Sequence, residues 1–393
     1  MQIFRLSHSF GAFAARTAFC GAIAALALPA IAQTVPAPVA AAKSWTVFDA
    51  STGRMLASQE PGMRIIPASL TKVMTAYLVF EAIREKRLQW DQMVNVSLNA
   101  YRVDKSSSKM FIDPKVPVSI KDLTYGLIIQ SGNDAAVQLA EAVAGSEETF
   151  AAMMNKKAGE LGMKGTHFMN ASGLPHPDHY STAEDLTILA ARLIHDFPEE
   201  YKIYSIKEFT YNKIKQGNRN VLLYTDPTVD GMKTGYVTGS GYNLIASAKR
   251  PGVSGDFRVI SVVTGTASPH ARGEESRKLL GWAFSNFEAV KVASKGQQVG
   301  TPVVWKGTQQ TVKVGIAADR YETFAKGAGN KVKTEVVLQD KLMAPLASGS
   351  KVGVVKISYD GKPIGEVPVV ALEEVKEAGF FARIWDSIRL RFA

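Results

Sequence analysis

A serine and a lysine, Ser69 and Lys72, stand three residues apart at the start of a predicted helix. Residues at positions i and i+3 share one face of a helix, so the lysine amine can reach the serine hydroxyl. A serine hydroxyl needs an adjacent base to act as a nucleophile, and a lysine becomes that base when burial or a second cation lowers its pKa. Residues 106–109 and 348–351 repeat the spacing in a polar loop and a turn. The pair at 69 and 72 therefore predicts nucleophilic serine chemistry, with helix capping as the alternative role for Ser69.

Two further motifs carry residue types that complete such a site. Residues 131–133 read Ser-Gly-Asn and interrupt a helical stretch, which can aim Ser131 and Asn133 into a cleft. Residues 233–235 read Lys-Thr-Gly at the start of a predicted strand, where the glycine lets a substrate approach the backbone closely. In this order the three motifs match the pattern of serine β-lactamases and penicillin-binding proteins, with Gly132 where that pattern has aspartate.

The sequence resembles the low-molecular-mass penicillin-binding proteins, the serine D-alanyl-D-alanine carboxypeptidases. The stretches that carry the resemblance include WTVFD at 45–49, PASLTK at 67–72, QSGNDA at 130–135, STAEDL at 181–186 and DGMKTG at 230–235. The resemblance implies removal of the terminal D-alanine from peptidoglycan stem pentapeptides through an acyl-enzyme on Ser69. It also implies covalent inhibition by β-lactam antibiotics and chemistry without a cofactor or metal.

The resemblance implies a role for each polar motif residue. Ser69 would attack the carbonyl between the two D-alanines, and Lys72 would be the base for that step. Ser131 would relay the proton to the leaving D-alanine, while Asn133 would hold the substrate amide and orient Lys72. Lys233 would add a positive field that keeps the Lys72 amine partly neutral.

The resemblance also implies which residues bind the terminal carboxylate of the substrate and which stabilise the oxyanion that forms at the cleaved bond. Thr234 and Arg272 would bind the terminal carboxylate, although a salt-bridged arginine at a helix start is the alternative for Arg272. The oxyanion hole would consist of the backbone N–H groups of Ser69 and of Tyr236, the residue that follows Gly235.

Other functions remain open on the sequence. A D,D-endopeptidase that cleaves peptidoglycan crosslinks would use the same residues. A class A β-lactamase would need a Glu-x-x-Leu-Asn loop, which the stretch after Glu184 does not match. A catalytically silent cell-wall scaffold conflicts with the intact motifs. His176 and His179 have no obvious third ligand and are interpreted as residues of a surface loop, so no metal site is predicted.

The elements that must position these residues follow from hydrophobic periodicity. Strands are predicted at 44–49, 54–58, 232–237, 242–249 and 258–264, and helices at 70–81, 119–144 with a break at 131–133, 150–161, 181–194 and 272–286. A capping box at 181–184 opens the fourth helix. Strands at both ends of a helical stretch predict an α+β domain whose sheet pairs N- and C-terminal strands, and the resemblance implies an antiparallel sheet with helices on both faces plus a helical subdomain.

The remaining segments suggest an exported protein with further parts. Residues 1–32 have the basic, apolar and Ala-x-Ala regions of a secretory signal peptide, followed by a flexible leader at 33–42 and the catalytic domain at 43–290. Residues 291–375 hold short alternating stretches and an Asp-Gly hairpin signal, which predict a small all-β domain. Cys20, the only cysteine, lies in the signal peptide, so thiol catalysis is excluded.

Charge and the final segment indicate the partners. Lys and Arg number 46 against 36 Asp and Glu, a net charge of +10, but the basic residues are scattered and no nucleic-acid-binding stripe is predicted. Residues 376–393 are interpreted as a separable membrane-surface segment. Its helix at 380–392 has an apolar stripe of Phe380, Phe381, Ile384, Trp385, Ile388 and Phe392. The stripe predicts peripheral binding to anionic lipids on the periplasmic side of the cytoplasmic membrane, with packing on the β domain as the alternative.

Overall fold

The computed structural model describes residues 35–104 and 106–392. The predicted signal peptide, residues 1–32, and residues 33–34 of the predicted leader lie outside this part of the chain. The helices are α1 (Lys72–Arg84), α2 (Leu98–Tyr101), α3 (Ile120–Tyr125), α4 (Asn133–Ala144), α5 (Glu147–Leu161), α6 (Ala183–Asp196), α7 (Leu222–Thr225), α8 (Pro269–Asn286) and α9 (Phe380–Arg389). Short 3₁₀ and π segments lie at Ala68–Thr71, Gly126–Gln130, Glu200–Ser205 and Gly329–Lys331.

The strands fall into an N-terminal and a C-terminal group. The first group is β1 (Ser44–Asp49), β2 (Arg54–Gln59), β3 (Met93–Val94), β4 (Val118–Ser119), β5 (Glu208–Tyr211), β6 (Ile214–Gly217), β7 (Val229–Val237), β8 (Gly241–Gly252) and β9 (Gly255–Thr266). The second group is β10 (Phe287–Ala293), β11 (Gln298–Gly300), β12 (Val304–Trp305), β13 (Val314–Ile316), β14 (Arg320–Ala325), β15 (Val332–Leu338), β16 (Leu342–Met343), β17 (Lys351–Tyr359) and β18 (Lys362–Ala371).

The main sheet has the strand order β2-β1-β9-β8-β7, and every pairing in it is antiparallel. The N-terminal hairpin therefore joins the C-terminal strands of the same domain, with Trp45 of β1 opposite Val263 of β9. This confirms the pairing predicted from the sequence. Strand β7, which carries the Lys-Thr-Gly motif, stands at the edge of the sheet.

Helices cover both faces of this sheet. Alternate strand residues point to opposite sides and are buried in two separate cores. Ile245 and Ile260 are buried in a core that includes residues of α1, α4 and α6. Their neighbours Leu244 and Val259 are buried in a second core with Leu279 of α8. The expected α+β architecture with helices on both faces is confirmed.

Helix α6 begins one position later than the predicted capping box requires. The Thr182 hydroxyl accepts the Asp185 N–H at 3.0 Å, so Thr182 is the capping residue. The Ser181 hydroxyl, predicted as the cap, contacts the Thr166 hydroxyl at 2.8 Å instead. Thr182, rather than the adjacent Ser181, is therefore the N-cap of α6.

Helix α8 begins at Pro269, upstream of the predicted start at Arg272. The Ser268 hydroxyl caps it by accepting the Ala271 N–H at 3.0 Å. Proline is favoured in the first helical turn because it has no N–H to leave unpaired there. Arg272 consequently lies inside the first turns of α8 rather than before them.

The C-terminal strands form small sheets with a core of their own, as predicted for an all-β region. Five of them are ordered β11-β13-β18-β17-β15. A hairpin joins β17 to β18 through Asp360 and Gly361, whose φ angles of 50° and 77° suit a type I′ turn. The Thr323 hydroxyl of β14 donates to Asp49 of β1 at 2.6 Å, which ties this region to the main sheet.

Helix α9 ends at Arg389, short of the predicted end at residue 392. Residues 390–392 form turns, and the Lys341 amine donates to the Leu390 carbonyl at 3.4 Å. Phe392 therefore lies beyond the helix that was expected to contain it. Within residues 35–104 and 106–392, no helix has the length and apolarity needed to cross a bilayer.

Candidate active site

Ser69 and Lys72 lie where a 3₁₀ turn leads into α1. Ser69 is the second residue of the turn and Lys72 is the first residue of the helix, and the Lys72 amine lies 3.0 Å from the Ser69 hydroxyl oxygen. No side-chain capping bond is present at either start within the described chain, so the structure does not support capping as the role of Ser69. Ala68 has a φ of +51°, an uncommon value for a residue with a side chain.

Lys72 is almost completely buried, with 1% of its surface exposed. Besides Ser69, its amine donates to the side-chain oxygen of Asn133 at 2.7 Å and to the Ser172 carbonyl at 2.6 Å. A neutral amine has two N–H groups and one lone pair. The two N–H groups match these two oxygens, which leaves the lone pair for the proton of the Ser69 hydroxyl.

Burial is the largest cause that lowers the pKa of Lys72, and it brings the value to about 7. The positive charge of Arg219 is the second cause, while Asp134 and Glu147 oppose the shift. The charges of Lys72 and Lys233 also interact, because Lys72 lowers the pKa of Lys233, and the effect of Lys233 on Lys72 stays a prediction. A lysine with this pKa is suited to general-base chemistry near neutral pH.

Ser131 and Lys233 meet on the opposite side of the site. The Lys233 amine donates to the Ser131 hydroxyl at 2.9 Å and to the Thr234 carbonyl at 3.2 Å. Ser131 has a left-handed backbone, with φ of +62°, between the π segment and α4. Burial first, and the charges of Lys72, Arg219 and Arg272 next, hold the pKa of Lys233 well below its usual value. The structure thus joins two distant motifs through a single hydrogen bond.

The neighbouring Asp134 explains why a glycine stands at 132. Asp134 is buried, and its carboxylate accepts the N–H groups of Met110, Phe111 and Ile112 at 2.9, 2.8 and 3.3 Å. A Cβ on Gly132 would lie 2.7 Å from an oxygen of this carboxylate. The carboxylate of Asp134, two residues later, therefore occupies the space that a side chain at 132 would need.

The Lys-Thr-Gly strand is pressed against the turn that carries Ser69. A Cβ on Gly235 would lie 2.9 Å from the Pro67 carbonyl oxygen, so only glycine permits this approach. Arg272 donates to the Gly235 carbonyl at 3.2 Å. Burial lowers the pKa of Arg272 to about 10, and the charge of Arg219 adds to this effect. Arg272 makes no salt bridge within the described residues, which removes the alternative role assigned to it.

These groups surround one open cavity of about 440 Å³. The sequence-identified residues that line it are Ser69, Ser131, Asn133, Thr234, Gly235, Tyr236 and Arg272. The remaining two, Lys72 and Lys233, are buried beneath the surface and reach the cavity through their hydroxyl partners. All nine are thus brought to one place.

His179 is buried and contacts Thr71, close to Ser69 and Lys72, which corrects its interpretation as a residue of a surface loop. Its ring nitrogen Nδ1 accepts the Met169 N–H at 3.1 Å, so Nε2 carries the proton and donates to the Thr71 hydroxyl at 2.8 Å. Burial lowers the pKa of His179 to about 4, which keeps the ring neutral. His176 is exposed, as expected for a surface loop.

Arg219 is a functional candidate that the sequence did not single out. It lines the cavity and contributes to the lowered pKa of Lys72, Lys233 and Arg272. Its only sequence signal is the flanking pair of asparagines at 218 and 220. Among the described residues, no cluster of three or more His, Cys, Asp or Glu is placed to hold a metal ion.

Sequence comparisons match this chain over both of its regions. A family model described as D-alanyl-D-alanine carboxypeptidase matches residues 31–268, and one described as the C-terminal domain of penicillin-binding protein 5 matches residues 287–377. The chain is 42% identical to D-alanyl-D-alanine carboxypeptidase DacC of Escherichia coli over 366 residues, which covers 92% of this chain and 90% of that one. It is 43% identical to DacA of Haemophilus influenzae over 360 residues, with 91% of each chain covered.

Solved structures agree with these matches. Penicillin-binding protein 5 from Haemophilus influenzae is similar with a TM-score of 0.79 and 42% identity, covering 87% of this chain and 100% of that one. Penicillin-binding protein D2 from Listeria monocytogenes, solved in its cefotaxime-bound form, has a TM-score of 0.58 and 33% identity, with 63% of this chain and 99% of that one covered.

Proposed function

The chain belongs to the D-alanyl-D-alanine carboxypeptidase family of serine hydrolases, and from this premise we propose how its residues remove the terminal D-alanine of peptidoglycan stem pentapeptides. Ser69 is the nucleophile and Lys72 its base. The observation that carries the assignment is the buried Lys72 amine, whose three oxygen partners include the Ser69 hydroxyl. The Asn133 and Ser172 oxygens accept the two N–H groups of the neutral amine, and the Ser69 hydroxyl donates its proton to the lone pair.

Acylation proceeds by attack of the Ser69 oxygen on the carbonyl between the two D-alanines. Lys72 takes the hydroxyl proton, and the backbone N–H groups of Ser69 and Tyr236 stabilise the oxyanion. Ser131, held by Lys233 at 2.9 Å, relays this proton from Lys72 to the leaving amine as the peptide bond breaks, so that Lys72 and Ser131 both return to their starting protonation states. D-alanine departs, and water then hydrolyses the ester on Ser69 to release the shortened peptide and restore the hydroxyl.

The terminal carboxylate of the substrate binds at Thr234 and Arg272. Both line the cavity beside Ser69, and Arg272 keeps donors free after its one bond to the Gly235 carbonyl. A permanent guanidinium charge favours a chain end over an internal peptide bond. This supports carboxypeptidase over endopeptidase chemistry.

β-Lactam antibiotics acylate Ser69 by the same attack. The cavity lining within the described residues contains no glutamate, and Glu184 is exposed at the start of α6. A class A β-lactamase uses a glutamate with a bound water for deacylation. We therefore expect slow release of the penicilloyl group rather than antibiotic turnover.

Product masses from two substrates test the proposed function. Incubation of the enzyme with a stem pentapeptide is expected to yield the tetrapeptide and free D-alanine, while a crosslinked peptide dimer stays largely intact. Mass spectrometry of both digests measures the ratio directly, with a Ser69→Ala digest as the blank. Comparable cleavage of the dimer would make the protein an endopeptidase, and an untouched pentapeptide would refute the assignment.

We further propose that the protein is exported, by its 1–32 signal peptide, and bound to the periplasmic side of the cytoplasmic membrane by α9. The apolar side chains of α9 are exposed, with Phe381 at 85% and Trp385 at 63%. Its polar side instead faces the β region: Asp386 accepts the Lys306 N–H at 2.7 Å, and Arg383 pairs with Glu377. A helix that presents its apolar face outward suits a lipid surface.

Vesicle sedimentation tests this attachment. The chain from residue 33 onward is expected to pellet with vesicles that contain anionic phospholipid, whereas truncation after Ala378 leaves an active enzyme in the supernatant. A Phe381→Glu/Trp385→Glu variant should lose most binding, because it places two charges on the apolar face. Val253→Glu is the matched control, since Val253 is 66% exposed on the β8–β9 hairpin. A full-length protein that stays in the supernatant at low salt, or equal loss in the control, would contradict the attachment.

A further inference from the structure

A short backbone segment, Ala171 and Ser172, contacts Lys72 on one side and helix α5 on the other. Both residues of the segment are buried. The Ser172 carbonyl accepts one N–H of the Lys72 amine at 2.6 Å. In the proposed function this bond, together with the one to Asn133, directs the lone pair of the amine toward Ser69. The position of the Ser172 carbonyl therefore matters for the reaction.

The N–H of Ala171 is held by a carboxylate of α5. Glu147, the first residue of that helix, accepts this N–H through Oε1 at 2.9 Å. The carbonyl of Ala171 accepts the Thr75 hydroxyl of α1 at 2.6 Å. A buried backbone N–H without an acceptor is costly. Glu147 thus satisfies a buried N–H one residue before the carbonyl that contacts Lys72.

The start of α5 does not depend on this contact. The helix is capped by Ser146, whose hydroxyl accepts the Thr149 N–H at 3.2 Å. Glu148, the next acid in the same first turn, is exposed and provides the same favourable charge at the helix N-terminus. What distinguishes Glu147 from Glu148 is its bond to the segment beside Lys72.

The charges of Glu147 and Lys72 influence each other. Burial is the largest cause that raises the pKa of Glu147 above its ordinary value, and the bond from the Ala171 N–H opposes this shift. Lys72 lowers the pKa of Glu147, and Glu147 in turn raises that of Lys72. Other charged groups also act on this pair: Glu148 of α5, Glu141 and Asp134 of α4, and Arg219 in the loop before α7.

We propose that Glu147 is a positioning residue of the acylation step, which acts on the Lys72 amine through the backbone of residues 171–172. Holding this backbone keeps its carbonyl against one N–H of the amine, so that the lone pair stays directed at the Ser69 hydroxyl. The inference rests on the proposed function and adds a carboxylate that touches neither substrate nor reacting atoms. The oxygen of Glu147 fixes geometry, whereas its negative charge favours the protonated amine.

Two substitutions separate these effects in the pH profile of acylation by a penicillin. Glu147→Gln should keep the maximal rate constant within about threefold of the wild type, because the amide oxygen still accepts the Ala171 N–H. Its profile should move to lower pH by about half a unit, because the lost negative charge no longer favours the protonated amine. Glu147→Asp keeps the charge on a side chain one methylene shorter. It should lower the maximal rate constant by about tenfold or more, since small misplacements of a catalytic group have effects of this size, and its profile should move less.

Glu148→Gln and Glu148→Asp are the matched controls, because Glu148 is an exposed acid in the same helical turn. They should keep the wild-type rate constant and profile. The rate constant of acylation, unlike its amplitude, does not depend on the fraction of folded enzyme, so a loss of stability alone does not move it.

An unchanged maximal rate constant in Glu147→Asp, or an equal loss in Glu147→Gln, would overturn the positioning role. The same changes in the Glu148 variants would also overturn it, because they would assign the effect to the helix start. A Glu147→Gln profile that stays at the wild-type pH would overturn the effect of charge. A wild type that penicillin does not acylate would instead refute the proposed function.

Discussion

A Ser69→Ala variant is expected to lose both covalent binding of penicillin and release of D-alanine. Ser69 is the hydroxyl that the buried Lys72 amine contacts at 3.0 Å, and alanine removes the only oxygen that can form the acyl bond there. Intact-mass spectrometry of the wild type should show one added penicillin, located by digestion on a peptide that contains Ser69. The variant should show none, and its D-alanine release should fall to the background rate.

Ser348 provides a matched control for this substitution. It has the same spacing to Lys351 as Ser69 has to Lys72, but its exposed hydroxyl donates to the Leu372 carbonyl at 3.3 Å in the β region. Ser348→Ala should therefore form the adduct at the wild-type rate. An adduct on any serine other than Ser69 would remove the nucleophile assignment.

The fold could be predicted from the sequence wherever the pattern was local. Short runs of strand-favouring residues located β1, β7, β8 and β9, and the turn chemistry of Asp360-Gly361 located the β17–β18 hairpin. The break at residues 131–133 was also visible, because helix-forming residues flank a Ser-Gly-Asn sequence. In each case the residues that determine the structure are adjacent in the chain.

The features that escaped prediction depend on residues distant in sequence. His179 lies in a Pro- and His-rich loop typical of a surface, yet Thr71, 108 positions earlier, supplies the hydroxyl that its ring needs in the interior. Arg219 lines a cavity formed by other elements, and its charge helps to lower the pKa of Lys72. The composition of a short segment does not predict contacts with residues that are distant in the sequence.

A second large effect is expected from Lys72→Arg. A guanidinium keeps the positive charge but does not deprotonate in a protein, so it cannot accept the Ser69 proton. Loss of a general base typically lowers a rate by about 10²–10⁴-fold. Stopped-flow measurement of penicillin acylation should show a decrease in this range, measured alongside the free energy of unfolding to confirm that the variant is folded.

The pH dependence of the acylation rate shows whether Lys72 acts as a base or only contributes a positive charge. With a pKa of about 7, Lys72 is neutral and competent above pH 7 and protonated below it. Acylation by the wild type should therefore rise about tenfold per pH unit up to about pH 7 and then level off. Lys72→Arg should lack this rise, because its side chain does not titrate in the same range.

Lys233→Arg is the control for Lys72→Arg, because it makes the same substitution at the other buried lysine of the site. Lys233 donates to the Ser131 hydroxyl and the Thr234 carbonyl, and an arginine can still donate to both oxygens. Its loss of acylation should be at least about tenfold smaller than that of Lys72→Arg, and the rise toward pH 7 should persist because Lys72 is intact. If the two arginine variants acylate equally fast, or if the rise disappears in Lys233→Arg alone, the base is not Lys72.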